Sequence, residues 1–341
     1  MEQNVWFWGV TLAVLLPWAL DLVATWLNLR ALNPRIPEAM TGVFDAAEYA
    51  KSQEYTRVQS RFGQAESAFS ILILLAFWWG GGFGWLDGWV RMWGQGPIVT
   101  GLIYISLLLG AQQILSLPFD LYGTFVIEAR FGFNQTTLRT FFLDRLKGIA
   151  LGALIGLPLM AVVLWIFQSL PSAWLWGWGV VTFFSLILSY IGPAWIMPLF
   201  NRFTPLEEGE LRSAIAELAN RCRFGLRDVL VMDGSKRSTK SNAFFTGFGR
   251  NKRIALFDTL IARHATAELV AVLAHEIGHY QRRHIFKGMA LGIASTGVLF
   301  FLLGLVMENR GLFAAFGVAE TSVYLSLVFF GFLVQPLNHL L

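Results

Sequence analysis

The chain is poor in charge. Of its 341 residues only 14% are Asp, Glu, Lys or Arg, while 55% are hydrophobic; soluble domains carry about a quarter charged residues. One aqueous core cannot absorb that apolar excess, so lipid has to serve as solvent for part of the chain. Cysteine is nearly absent. The lone Cys222 excludes an intramolecular disulfide framework and a cysteine-ligated metal cluster. The formal net charge of +4 is modest, and no nucleic-acid partner is expected from it. The first apolar stretch has no basic segment before it. Trp6, Trp8, Pro17 and Asp21 also suit a cleavable signal poorly, so it is read as a true span.

Aromatic residues are abundant: 14 Trp and 30 Phe. Such rings suit the boundary between hydrocarbon and water. Apolar stretches lie at 5–29, 66–86, 98–122, 148–168, 175–199, 288–307 and 314–336. About 20 helical residues cross a bilayer, and most of these stretches are that long. The second is the weakest, because Gly80, Gly81 and Gly82 interrupt it. With seven spans, 24 of the 26 basic residues fall on one side, in 30–65, 123–147 and 200–287; Arg91 and Arg310 fall on the other. The positive-inside rule places the crowded side in the cytoplasm, with the N-terminus outside and residue 341 inside. The basic excess beside the spans is read as topogenic.

Residues 200–287 form the one sizeable soluble segment. Thr204 reads as an N-cap with Pro205 in the first helical turn, Leu211, Ile215 and Leu218 on one face, and Gly225 as the stop. "LRDVLVMDG" reads as a strand. "SNAFFTGFGRNKRIALFDTLI" reads as strand, turn at Gly247 and Gly249, and strand. "ATAELVAVLAHEIGHYQRR" reads as one helix with Ala267, Val270, Ala274 and Ile277 or Gly278 on its apolar face.

That helix carries His275, Glu276 and His279. Residues four apart share a helix face, so both imidazoles can reach one metal ion. Zinc accepts imidazole nitrogen readily. Glu276 can stand beside the ion without binding it and take a proton from water attacking a carbonyl. An ordinary pair of surface histidines would show the same spacing. The amphipathic run before the pentad and the adjoining membrane segment weigh against that reading. His284, nine residues past His275, falls on the opposite face of a continuous helix. His264 precedes the helix and is not expected to be a ligand; His339, near residue 341, stays open as one. Glu308 and Glu320 fall on the far side of the membrane and read as interfacial. Glu128, Arg130, Asp144 and Arg145 read equally well as a buried charge lattice or as an exposed balanced loop.

Four blocks carry a family likeness: "LPFDLYGTFVIEARFGFNQTTLRTFFLDRLKG", "IMPLFNRFTPLEEGEL", "DGSKRSTKSNAFFTGFGRNKRIALFDTL" and "ELVAVLAHEIGHYQRRH". With them the chain resembles the type I CAAX prenyl endopeptidases, the Ste24-type membrane zinc metallopeptidases, over its whole length. The resemblance implies seven tall helices around a water-filled chamber and one Zn2+ per chain on His275 and His279. It also implies Glu276 as general base, and Asn242, Ala243 and Phe244 as an edge strand that holds substrate extended. An exposed strand edge binds peptides by main-chain hydrogen bonds. Two departures stand out. Lys240 occupies a position where the family mostly has His. The family's third ligand, a Glu in an S-R-x-x-E-x-x-A-D motif after the seventh span, does not occur in these residues, so the expectation is a fragment or an early end, inactive by itself.

The expected architecture is an all-α polytopic membrane protein with a small α+β cytoplasmic zinc-peptidase domain. Residues 1–199 hold five spans and loops 30–65 and 123–147, residues 200–287 the zinc domain, and residues 288–341 two further spans. Expected partners are peptide or protein C-terminal segments, with or without a prenyl group, and membrane lipid, the chain acting as a monomer. The Trp-rich composition suggests a bacterial homologue in an inner membrane, the endoplasmic reticulum being the eukaryotic alternative. Two other functions fit: a quality-control peptidase without prenyl specificity, and a non-catalytic chamber.

Overall fold

The computed structural model describes residues 1–246 and 252–340. Six helical segments are long and apolar enough to cross a membrane. They are α1 (Val5–Ala31), α2 (Ala46–Trp79), α4 (Pro97–Tyr122, continued by a π-helical turn to Glu128), α5 (Leu138–Ser169), α6 (Ala173–Ile191, continued to Leu199) and α10 (His284–Val306). A ten-residue helix, α3 (Gly82–Arg91), lies between α2 and α4. Strict alternation of these six keeps 32–45, 129–137 and 200–283 on one side, with Arg91 and Arg310 still on the other. The protein is a multi-pass α-helical membrane protein with a small mixed α/β portion.

Two segments differ from the sequence reading. Helix α2 has 34 residues, so at 1.5 Å each it is about 50 Å long; much of the expected loop 30–65 is therefore its polar first half. The stretch 314–336 is not one long helix. It is divided among α11 (Arg310–Ala315), α12 (Val323–Leu333) and α13 (Gln335–Leu340). Gly317 turns the chain at φ +72°, and Phe313, Phe316, Leu325 and Phe329 are almost fully buried. Their apolarity is spent on protein packing, which hydropathy cannot distinguish from lipid exposure.

The chain forms two compact units. The first comprises 1–131, 154–177 and 299–341. Its core gathers Phe7, Trp78, Phe83, Tyr104, Phe313, Phe316 and Phe329, with Phe316 stacked on Phe329 at 3.8 Å. Burying Asp87 here requires partners: Arg91 Nε donates to it at 2.8 Å, and the Tyr324 hydroxyl also donates to it. Arg91 reaches on to Glu320 at 2.8 Å, so Glu320 is an ion-pair residue of this cluster. Glu128 accepts from the Tyr55 hydroxyl, while Arg130 stays mostly exposed.

The second unit comprises 132–153 and 178–298. It holds a four-stranded sheet in the order β1 (Phe203–Pro205), β2 (Leu226–Met232), β4 (Lys252–Phe257), β3 (Ala243–Thr246). Pairs β1–β2 and β3–β4 are antiparallel, and β2–β4 is parallel. Thr204 and Pro205 lie in β1 and do not open a helix; α7 begins later, at Glu210 (Glu210–Arg221). Its end is set by Arg223 at φ +50°, not by Gly225. Ile215 is fully buried on α7 with Leu211 and Leu218 beside it, as the spacing indicated. The expected turn at Gly247 and Gly249 lies outside the described residues.

Asp144 is the member of the charge group that is locked in place. Arg237 makes two bonds to its carboxylate, Nε at 2.7 Å and Nη2 at 3.0 Å. The same guanidinium donates to Asn201 Oδ1 and to the Phe200 carbonyl, each at 2.7 Å. The main-chain N–H of Gln135 and the Thr136 hydroxyl both donate to the Arg237 carbonyl, each at 3.0 Å. One side chain thus ties α5, the segment after α6 and the segment leading to β3. Both charges are three-quarters buried, and hydrogen bonds to charged groups contribute about 1.5–3 kcal/mol. Replacing Arg237 with Lys keeps the charge and loses the fork. The expected outcome is a loss of about 2 kcal/mol, read as an apparent Tm several degrees lower in detergent; an unchanged Tm would show the fork to be dispensable.

Candidate metal and peptide-binding site

The site is built on α9 (Thr266–Gln281). Leu269, Leu273 and Ile277, four apart, are each almost fully buried. Ala267 and Ala274, expected on the apolar face, are exposed. Leu269 and Leu273 fill the space against Ala243, Ile254 and Leu256 of the sheet, Ile277 packs with Ala219 and Phe224, and the alanines are left outside. Seating α9 on that row turns His275 and His279 outward.

Both ends of the helix are fixed. At the start, Glu268 accepts from the Ala265 N–H at 3.0 Å and contacts His264 Nδ1 at 3.2 Å. These bonds, the backbone one first, hold the Glu268 carboxyl below the usual glutamate range. They also commit His264 to the start of the helix, about 14 Å along the axis from His275. At the other end, Lys252 Nζ sits 3.8 Å from the Tyr280 ring and 4.4 Å from the Phe224 ring. Lys252 is only 6% exposed, so the two ring faces are the partners that a buried ammonium requires. Gln281 Nε2 donates to the Cys222 carbonyl at 3.1 Å.

Between these fixed ends, His275 Nε2 and His279 Nε2 stand 3.1 Å apart. Two nitrogens bound tetrahedrally at about 2.0–2.1 Å would be about 3.3 Å apart. The pair therefore fits two corners of a zinc site with little movement. Glu276 follows His275 and is half-buried. Among the described residues, no group of three or more His, Cys, Asp or Glu converges as a metal site. His284 is nevertheless close: its Nδ1 is 2.8 Å from His279 Nδ1. The expectation that it lies on the opposite face is corrected here. Helix α9 stops at Gln281, Arg283 adopts φ +56°, and α10 starts afresh at His284. The three rings form a chain and not a convergent triad, because His279 turns one nitrogen to each neighbour.

The strand next to α9 is β3. Among the described residues it pairs with β4 alone and is one of the two sheet edges, β1 being the other. Ala243 and Phe244 lie in it, and Asn242 immediately precedes it. Ala243 is buried against the core, while the Asn242 carbonyl accepts from Phe257 N–H at 3.1 Å. Lys240 Nζ lies 4.9 Å from the Phe133 ring. The side chain of His339 lies outside the described residues.

Family models match both halves of the chain. The CAAX prenyl protease N-terminal model, five membrane helices, covers 25–202, and the peptidase family M48 model covers 205–339. The chain belongs to the CAAX prenyl protease family. It is 36% identical over 335 residues to the CAAX prenyl protease 1 homolog of Arabidopsis thaliana, covering 93% of this chain and 78% of that one. It is 31% identical to the homolog of Homo sapiens, covering 96% and 80%. Among solved structures it is similar to Ste24p of S. mikatae, with a TM-score of 0.90 and 30% identity over 99% of this chain and 83% of that one. These relatives are eukaryotic and give no support to the bacterial source expected from tryptophan content. Tryptophan marks membrane interfaces in any organism.

The lowered Glu268 pKa has a consequence for α9. Its stabilisation is complete above the pKa of an unfolded glutamate, about 4.3, and is lost as pH falls through the lower folded value. Glu268→Gln should therefore lower the apparent Tm at neutral pH. Its deficit should shrink as the pH is taken down toward 3; a deficit constant across that range would contradict this assignment.

Proposed function

We propose that this protein is a membrane-embedded peptidase that acts on extended peptide segments, with broad rather than prenyl-restricted choice. The observation that carries this reading is the 3.1 Å approach of His275 and His279 on α9, beside a sheet edge at β3. Among the described residues β3 pairs with β4 alone, so its other edge can offer main-chain donors and acceptors to a substrate. A substrate strand laid along it is held through its own backbone, whatever its side chains or lipid tail. That logic favours turnover of varied membrane-associated peptides, prenylated C-terminal segments among them, over strict recognition of a prenyl group.

His275 and His279 would hold the zinc ion through Nε2. When bound, zinc supplies a Lewis acid that makes water a better nucleophile and a carbonyl a better electrophile. Glu276, next to His275, would take the proton from the attacking water and deliver it to the departing amine. Asn242, Ala243 and Phe244 would keep the scissile bond extended. The domain division at 199 and 287, the enclosing chamber and the monomeric state belong to the same reading. The eukaryotic relatives favour the endoplasmic reticulum membrane over a bacterial inner membrane.

A second reading has one observation in its favour. Among the described residues only two donors converge, whereas a catalytic zinc site has three protein ligands. On that basis the chain binds peptides without hydrolysing them and holds zinc weakly. One experiment separates the two readings. Zinc content and cleavage of a short peptide, with and without a prenyl group, are measured for the chain and for Glu276→Gln. The peptidase reading expects cleavage of both peptides, and a Glu276→Gln variant that keeps its zinc but loses cleavage by two to four orders of magnitude, about the share of a general base. Peptide binding without cleavage in the unaltered chain supports the second reading. Full activity in Glu276→Gln removes the glutamate from the mechanism.

A further inference from the structure

His284 is the residue whose place in the structure departs furthest from its place in the sequence. On a continuous helix it would lie about 7.5 Å further along the axis than His279 and on another face. The chain break brings it back. The Arg283 N–H donates to the Tyr280 carbonyl at 2.9 Å, and the Lys287 N–H donates to the Arg283 carbonyl at 3.0 Å as α10 begins. Arg283 itself sits in the left-handed region at φ +56°. That conformation is disfavoured for a residue with a side chain. Strain of this kind persists where the surroundings enforce it, and here it delivers an imidazole to the back of a ligand ring.

We infer that His284 is a positioning residue for His279. It accepts the Nδ1–H of His279 and thereby fixes which nitrogen of that ring is left to bind metal. His279 Nε2 faces His275 Nε2 at 3.1 Å, so Nε2 is the nitrogen that needs a free lone pair. A neutral imidazole then carries its proton on Nδ1. That proton points at His284 Nδ1, 2.8 Å away, which must be the unprotonated nitrogen of its own ring. The ring centroids are 5.0 Å apart and the planes are twisted by 68°, a twist that a bond between an in-plane N–H and an in-plane lone pair accommodates. Metal-bound histidines regularly donate their second N–H to a fixed acceptor, more often a carboxylate or carbonyl. Here a third histidine fills that place. It cannot also share the ion, because His279 presents opposite edges to its two neighbours.

This inference rests on the peptidase reading for its purpose, but its test does not need metal. The full chain is prepared with 15N-labelled histidine at a pH about two units above the ordinary histidine pKa of about 6.5, so the rings are neutral. Nitrogen spectra then report the tautomer of His279, assigned with the His279→Asn variant. Two further variants probe the acceptor. His284→Phe keeps a ring and removes the acceptor; His284→Asn places a carbonyl oxygen where Nδ1 stood. The expected result is a protonated Nδ1 on His279 in the parent, loss of that single tautomer in His284→Phe, and its recovery in His284→Asn. Co2+ affinity should follow the same order, falling 10–100-fold in His284→Phe and returning in part in His284→Asn. A His279 protonated at Nε2, or one whose tautomer is the same in all three proteins, overturns the role of His284. A parent that shows the expected tautomer yet binds no Co2+ upholds the positioning bond and counts against zinc hydrolysis instead.

Discussion

Everything at the site depends on two imidazole nitrogens one helical turn apart being held 3.1 Å from each other. The i, i+4 spacing makes that approach available on any helix; keeping it takes a helix that neither rotates nor frays. Rotation is prevented by Leu269 and Leu273 against the sheet and by Ile277 against Ala219 and Phe224. Each such side chain contributes about 1.5–3 kcal/mol by burial, and turning the helix would expose all three together. Fraying is opposed at the first turn by Glu268 and at the last by the Lys252 ammonium between Tyr280 and Phe224. The sheet that seats the helix also supplies the β3 edge, so one packing arrangement positions both the His275–His279 pair and the strand proposed to hold substrate.

The soluble elements were legible in sequence where a single signal dominated. The β2 strand and the β3–β4 pair followed from short β-branched and aromatic runs, and α9 from its length. Thr204 and Pro205 misled, because a cap residue followed by proline also suits a short edge strand. The buried face of α9 was assigned to alanines because spacing alone does not weigh side-chain size. In the membrane half, hydropathy found the six long helices. It also marked 314–336, where the apolar residues are turned into protein by the Gly317 bend and by α12 and α13. Transfer free energy is alike for lipid and for a protein core, so no reading of composition separates the two.

At the candidate site, the approach of His275 and His279 was legible because it depends on local helix spacing alone. His284 was not, because its position depends on Arg283 leaving the right-handed region. An arginine there carries no signal comparable to a glycine. The Asp144–Arg237 fork was half visible: the acid was noted, but its partner lies 93 residues away and follows from tertiary packing only. Family membership adds what spacing could not, since both the membrane helices and the M48 portion match over almost the whole chain.

The most direct measurement is X-ray absorption at the metal edge of the purified protein loaded with one equivalent of zinc. The expected spectrum shows two imidazole nitrogens at about 2.0–2.1 Å, with the remaining shell made of oxygen, and loses imidazole scattering stepwise in His275→Ala and His279→Ala. A spectrum without histidine scattering, or one unchanged by either substitution, would contradict the assignment of this pair as the metal-holding centre.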